Sequence, residues 1–246
     1  MSSSSPFPWL ALLKYSSQQA LDLIFPPHCV SCSQGGHHLC PTCQKHIYAQ
    51  ELTTQLPCPR CSHASNKACL ISPPQGHVHT ISAFGPYAGP LRACIKALKY
   101  DGEIHLSEIL GALLAHTYQR YQLEADLFIP VPLHPTRQRQ RGFNQALLLA
   151  RVCSQLTGVP LDEGIIRQRP TSAQVGMNAS LRYQNVMGAF IYLSPPATPH
   201  LSNRKIIIID DVCTTGATLD ACARPLLVAG ASSVSGLVLA SSGRRH

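Results

Sequence analysis

Apolar positions along the chain alternate between two periods, and the switches predict its elements. Leu10, Leu13, Ala20, Leu21 and Ile24 recur at helical spacing, which predicts an amphipathic helix over residues 9–25 closed by Pro26-Pro27. Val78, Ile81, Ala83 and Phe84 predict a strand, and a Gly/Pro turn over 85–90 follows. Leu91, Cys94, Ile95 and Leu98 begin a helix that stops at Lys99-Tyr100-Asp101-Gly102. A second helix is expected over about 104–119, and a short strand over 127–132 ended by prolines. Leu147, Leu148, Ala150 and Leu156 predict a helix running to Gly158. Residues 164–193 read as strand, loop, helix from about Asn178, and return strand. The segment 194–199 reads as an exposed linker.

Four consecutive isoleucines, residues 206–209, then predict a strand buried on both faces, as in a parallel sheet. Asp210 and Asp211 stand at its expected C-terminal end. Leu219, Cys222, Leu226 and Leu227 give a helix to about Val228, and a final strand is expected over 234–240. Strands alternating with helices predict an α/β fold, with a boundary at Pro73-Pro74-Gln75-Gly76. The organisation is therefore an N-terminal segment (1–25), a cysteine-rich region (26–75) and an α/β domain (76–246).

Composition narrows the function. The 246 residues carry a net charge of +8, which suits polyanionic ligands or partners. No run approaches the roughly 18 apolar residues of a membrane span. Lys14 interrupts the apolar stretch near the N-terminus and no basic region precedes it, so a secretory signal is not expected. In that setting, eleven cysteines favour metal binding over disulfides.

The cysteines repeat. Cys29 and Cys32 are followed by Cys40 and Cys43, and the same spacing restarts at Cys58, Cys61 and Cys69 with Ser72 in the last position. Two CxxC pairs make a tetrahedral four-sulfur site that suits zinc in a structural role. The second set offers three thiolates, with His63 or His77 as a fourth ligand, and reads equally as a decayed site. The spacing leaves a pairing across the repeats open, with Cys29 and Cys32 joining Cys58 and Cys61.

The stretch after the isoleucine strand points to a ribose phosphate. A loop of Cys213, Thr214, Thr215, Gly216, Ala217 and Thr218 running into a helix offers backbone N–H groups and the positive end of the helix dipole to a phosphate. Asp210 and Asp211 can accept hydrogen bonds from sugar hydroxyls or attract Mg2+. The loop lacks the lysine signature of a P-loop. A second basic stretch carries Arg137, Arg139 and Arg141 on alternate positions. In an extended loop these would share one face and meet a diphosphate. Phe143 could stack a ring, and Asn144 and Gln145 could hydrogen-bond it.

The run IIIIDDVCTTGATL resembles the phosphoribosyl-diphosphate (PRPP) motif of type I phosphoribosyltransferases. With the cysteine repeat, the 131–145 stretch and the positions Thr171, Gln174, Arg182, Asn185 and Phe190, the chain from about Leu21 to Ala240 resembles the ComF family. That resemblance implies a type I phosphoribosyltransferase-like parallel sheet with flanking helices and a small hood. It also implies PRPP binding with Mg2+, and a cytoplasmic role in handling incoming single-stranded DNA alongside competence or DNA-processing proteins. Asp210 and Asp211 would hold the ribose and carry any catalysis, with Asp211 accepting a proton from an amine acceptor. Residues 214–218 would cradle the 5′-phosphate. Lys99, Tyr100, Arg137, Arg139 and Arg141 would face the diphosphate, while Arg92 and Lys96 read as surface residues. Ser72 stands where related chains often have an eighth cysteine. The rival expectations are a single-stranded-DNA-binding module that senses PRPP, and an adaptor working through the N-terminal helix and cysteine region.

Overall fold

The computed structural model describes residues 26–53, 76–169, 186, 188–193 and 201–242. The predicted N-terminal helix, the second cysteine set (Cys58, Cys61, Cys69, Ser72) with His63, and the predicted helix with Arg182 and Asn185 lie outside them.

Among the described residues, four strands form one parallel sheet in the order β1-β6-β5-β2: β1 (Ile81–Pro86), β2 (Leu127–Pro130), β5 (Lys205–Cys213) and β6 (Ser233–Ser241). The isoleucine run is the heart of β5. Ile207 and Ile209 enter one core, with α3 (Leu106–Arg120) and α5 (Gln145–Thr157). Ile206 and Ile208 enter a second core on the other face, with α6 (Ala217–Val228) and with β3 (Ile165–Arg167) and β4 (Phe190–Tyr192). Strand alternation sends successive side chains to opposite layers, so an unbroken apolar run is what a strand packed on both faces requires.

The remaining elements match the predicted order. A helix α1 (Pro41–Thr53) follows the first cysteines. Helix α2 (Gly89–Lys96) does not end where its pattern ends but widens into a π-helical turn, Ala97–Asp101, closed by Gly102 at φ 74°. A left-handed residue there is what glycine permits at little cost. Strands β3 and β4 pair antiparallel as a separate ribbon.

One expectation fails in an informative way. The arginine stretch is not extended: His134 caps it, Pro135 opens it, and residues 135–141 form the short helix α4 (Pro135–Arg141). Pro at the first helical position and an N-cap side chain are ordinary helix starts.

Close approach of α3 and α5 depends on Gly111. A Cβ there would stand 2.5 Å from Val152 Cβ and 2.8 Å from its Cγ1. Gly111→Ala is expected to lower stability by about 1–3 kcal/mol in urea denaturation. Adding Val152→Ala is expected to restore most of the loss.

Candidate functional site

The site forms where β5 outruns β2. The register between them ends at Pro130 opposite Ile209, and the Val131 N–H beyond it still donates to the Ile209 carbonyl at 2.9 Å. Beyond that point β5 carries Asp210 and Asp211 at the mouth of a cleft of roughly 1140 Å³, at the carboxyl end of the sheet.

The strand runs on to Cys213, so the two carboxylates lie within it and alternation divides them. Asp211 shares its face with Ile207 and Ile209 and meets the π-helical turn. Lys99 Nζ stands 2.5 Å from Asp211 Oδ2, and both side chains are largely buried. Burial alone would make Lys99 easier to deprotonate, but the Asp211 charge outweighs it and holds the ammonium above its usual range. Asp210 shares its face with Ile206 and Ile208. Its Oδ1 accepts the Asp211 N–H at 2.8 Å. Burial, then the Asp211 charge, push its carboxyl up to about 8, with Lys99 opposing.

Between β5 and α6 the chain makes the turn at which a phosphate is expected. Gly216, at φ 76°, turns the chain into α6, and Thr215 Oγ1 accepts the Ala217 N–H at 3.4 Å. Cys213, Thr214, Thr215, Gly216, Ala217 and Thr218 all line the cleft. The turn aims the first N–H groups of a twelve-residue helix at it.

Helical geometry changes the roles of the arginines. Arg137 and Arg141 are four residues apart, share one face of α4 and line the cleft with Gln140. Arg139 falls on the opposite face and does not line it, because alternate residues share a face only in an extended chain. The Arg141 guanidinium carbon lies 5.5 Å from the Tyr100 ring centroid, and Arg141 donates to Gln145 Oε1. Tyr100 and Lys99 line the cleft from the π-helical turn. Phe143 and Gln145 line it too, but Asn144 does not. Asn144 is buried, caps α5 by accepting the Ala146 N–H, and donates to the Val131 carbonyl. Arg92 and Lys96 are exposed, as expected.

Two lining residues carry no local signal. Arg167 enters from β3 and Tyr87 from the turn after β1. Burial first, and then the like charge of Arg137, lower Arg167 from its usual range.

A second centre lies in the cysteine region. The sulfurs of Cys29, Cys32, Cys40 and Cys43 all lie within 4.8 Å of one another, so four cysteines of the first set could hold a metal ion. Their mutual approach fits ligands from within the first set, while Cys58 and Cys61 lie outside the described residues. His77, expected as a fourth ligand of the second set, has its Nδ1 3.1 Å from Asp220 Oδ2. Backbone N–H groups of Cys40 and Cys43 donate to Cys29 Sγ and Cys40 Sγ. Burial resists ionisation of Cys29, but donors from Cys40, Ser31 and Cys32 outweigh it and bring the thiol down to about 6. Burial and the neighbouring sulfurs push Cys43 up to about 12. Four packed sulfurs ionise together only with a cation among them, so the set fits a metal.

Comparison with known proteins follows the same lines. Competence protein F of Haemophilus influenzae is 31% identical over 213 residues, 78% of this chain and 87% of that protein. DNA utilization protein YhgH of Escherichia coli O157:H7 is 34% identical over 189 residues, 72% of this chain and 80% of that protein. The chain belongs to the ComF family. Residues 145–246 match the phosphoribosyl transferase domain. This ComF-family chain thus has the type I phosphoribosyltransferase fold, a parallel sheet with flanking helices. Among solved structures, a purine phosphoribosyltransferase from Pyrococcus horikoshii is 17% identical, with a TM-score of 0.34 over 56% of this chain and 76% of that one. The matched domain holds Asp210, Asp211, the loop 213–218 and Arg167. Lys99 and α4 precede it, so part of the cleft wall in this ComF-family chain is built from outside the match. Among the described residues no helix is long and apolar enough to cross a membrane.

Two expected outcomes follow from this geometry. Cys40→Ser should bind one metal ion fewer per chain by elemental analysis, and its Tm should fall by roughly 5 °C or more. An unfolded Asp titrates near 3.9, so between there and about 8 the folded protein holds a proton on Asp210 that the unfolded chain has lost, and stability falls as pH rises. Asp210→Asn should remove that slope, gaining on the order of 1–2 kcal/mol over the unsubstituted protein between pH 5 and pH 9 in urea titrations.

Proposed function

We propose that the cleft binds PRPP with Mg2+ and supports displacement of diphosphate from its anomeric carbon. One observation carries this reading: the N-terminal loop of α6, the two carboxylates of β5 and the cations Lys99 and Arg141 converge on one cleft. Residues 213–218 suit the 5′-phosphate, through backbone N–H groups and the hydroxyls of Thr214, Thr215 and Thr218. Asp211 suits the ribose hydroxyls, and these would replace Lys99 as its partner. Lys99, released towards the diphosphate, would join Arg141 and Tyr100 there. Mg2+ bound with the diphosphate would neutralise charge gathering on the leaving group.

In the step itself, a lone pair of the acceptor forms a bond to the anomeric carbon. The bond from that carbon to the diphosphate oxygen breaks, and its electron pair leaves with the diphosphate. A proton released by an amine or ring-nitrogen acceptor suits Asp210, whose raised value lies close to working pH. Asp211, already held by Lys99, suits binding better than proton transfer.

The names of the two relatives, a competence protein and a DNA utilization protein, extend the reading to DNA handling, and the family resemblance specifies it as handling of incoming single-stranded DNA in concert with other DNA-processing proteins. A net charge of +8 and an arginine-bearing cleft wall fit a polyanionic partner. The four-cysteine set suits zinc in a structural role. None of the eight described cysteines is in a disulfide, which fits a cytoplasmic setting.

Asp211→Asn is expected to weaken PRPP binding at least tenfold by calorimetry with Mg2+ present, about 1.4 kcal/mol. Unchanged affinity would sink the ribose assignment. In the same series, a labelled single-stranded oligonucleotide should bind at low salt and weaken steeply as salt rises. Absence of binding at low salt would remove the DNA-handling reading and leave the PRPP reading untouched.

A further inference from the structure

Lys99 reaches Asp211 from a turn whose outer side faces water. Tyr100, Asp101 and Gly102, which follow it, are all exposed. A π-helical turn is uncommon. This one closes on the Ala97 carbonyl, which accepts the Gly102 N–H and, at 3.4 Å, the Glu103 N–H.

The cysteine region grips the turn from both ends. Before it, helix α1 packs on α2, so closely that a Cβ on Gly89 would stand 2.9 Å from Gln50 Nε2. Ala97 and Leu98 are buried in the same core as Cys29, Cys40, Cys43 and Ile47. After the turn, Glu103 Oε2 accepts a hydrogen bond from His38 Nδ1 at 2.8 Å. The His105 ring lies beside that of His38, with 5.3 Å between centroids. Glu103 is thus a joint: its main chain closes the turn on Ala97, and its side chain holds His38.

His38 in turn belongs to the cysteine knuckle. Its carbonyl accepts the N–H of Val30, next to Cys29, at 3.0 Å, and the N–H of Cys40, two residues further on, donates to Cys29 Sγ. The chain crossing that brings Cys29 and Cys40 together therefore also places His38. Four sulfurs ionise together only around a cation, so the crossing is firmest with a metal among them. A partly exposed ion pair adds little to global stability. Its effect on one turn can be larger, because local opening costs far less than unfolding the chain.

We propose that His38 is a positioning residue of the donor site: placed by the four-cysteine centre, it holds Glu103, and Glu103 holds the turn that presents Lys99. The donor site then tightens when the cysteines carry a metal and loosens when they lose it. The task of Lys99 in this proposal rests on the donor reading above. The ordering of residues 97–103 by the cysteine centre stands without it.

The test compares the full-length, metal-loaded protein with Glu103→Ala, Glu103→Gln, His38→Ala and the double alanine variant. No cysteine is replaced, and each variant should keep the metal content of the unsubstituted protein. Amide hydrogen exchange over residues 97–103, read by mass spectrometry, reports on the turn directly. Glu103→Ala and His38→Ala should each speed it about threefold or more while β5 is unaffected, and the double variant should be no worse than either. PRPP affinity, by calorimetry with Mg2+, should fall in the same proportion. Glu103→Gln keeps an acceptor for His38 and should retain most of both. Removing the metal with a chelator should speed the same exchange about tenfold in the unsubstituted protein, and add no more than about threefold in Glu103→Ala. If chelation unfolds the chain, seen as exchange in β5 as well, the substitutions decide by themselves. Unchanged exchange in both alanine variants overturns the proposal, as do additive losses in the double variant or a chelation effect undiminished by Glu103→Ala. Faster exchange with unchanged PRPP affinity overturns the positioning role. If the unsubstituted protein binds no PRPP, the donor reading fails, and exchange over 97–103 still decides whether the cysteine centre orders the turn.

Discussion

Strand β5 is hydrogen-bonded to a parallel neighbour on each edge and packed against a core on each face. Water reaches it only at its ends. Its polar chemistry is therefore confined to the C-terminal end, where β2 has already stopped and the chain turns into α6. The cleft, the loop that turns into α6 and the position of both carboxylates all follow from that burial. Moving the strand to an edge would solvate its aspartates along one side and dissolve the enclosure that perturbs Asp210.

Alternation along β5 gives its two adjacent acids different surroundings. Asp211 faces the layer that holds α2, and the π-helical turn delivers Lys99 to it. Asp210 faces the layer that holds α6, where burial and the neighbouring charge keep it reluctant to ionise. Two carboxylates with opposed environments are suited to two tasks, one binding and one proton transfer. The widened turn is part of this arrangement. A regular helix through Ala97–Asp101 would rotate Lys99 onto a different bearing, because each residue in a π turn advances by a smaller angle.

The cysteine cluster is packed against the same wall. Cys29, Cys40, Cys43 and Ile47 share a core with Leu91, Cys94, Ile95 and Leu98, which precede Lys99. His38, two residues before Cys40, lies 2.8 Å from Glu103, which follows Gly102, the residue that closes the π-helical turn. A metal held by those sulfurs would stiffen the surface on which the Lys99 turn rests, so the two centres form one mechanical unit across the boundary expected near residue 75.

Much of this was legible in the chain. An isoleucine run can be buried on both faces only inside a parallel sheet, glycine and threonine before an apolar helix mark an anion-binding turn, and paired CxxC spacings mark a metal centre. Those features are local, and short-range sterics and periodicity determine them. What local pattern could not decide was direction. The arginine stretch has the composition of a loop, but His134 and Pro135 start a helix, and helical rotation then sends Arg139 away from the cleft while Arg137 and Arg141 face it. Asn144 resembled a ligand-binding amide and is a helix cap, because its partners, Ala146 and Val131, are known only once β2 and α5 are placed. Arg167 looked like any charged residue on a strand until the placement of β3 put it in the lining of the cleft. The sequence by itself determined which elements form and which chemistry they carry, because those depend on neighbours a few residues away. Tertiary structure alone decided which charges meet, because Lys99 and Asp211 are far apart along the chain and are joined only by packing.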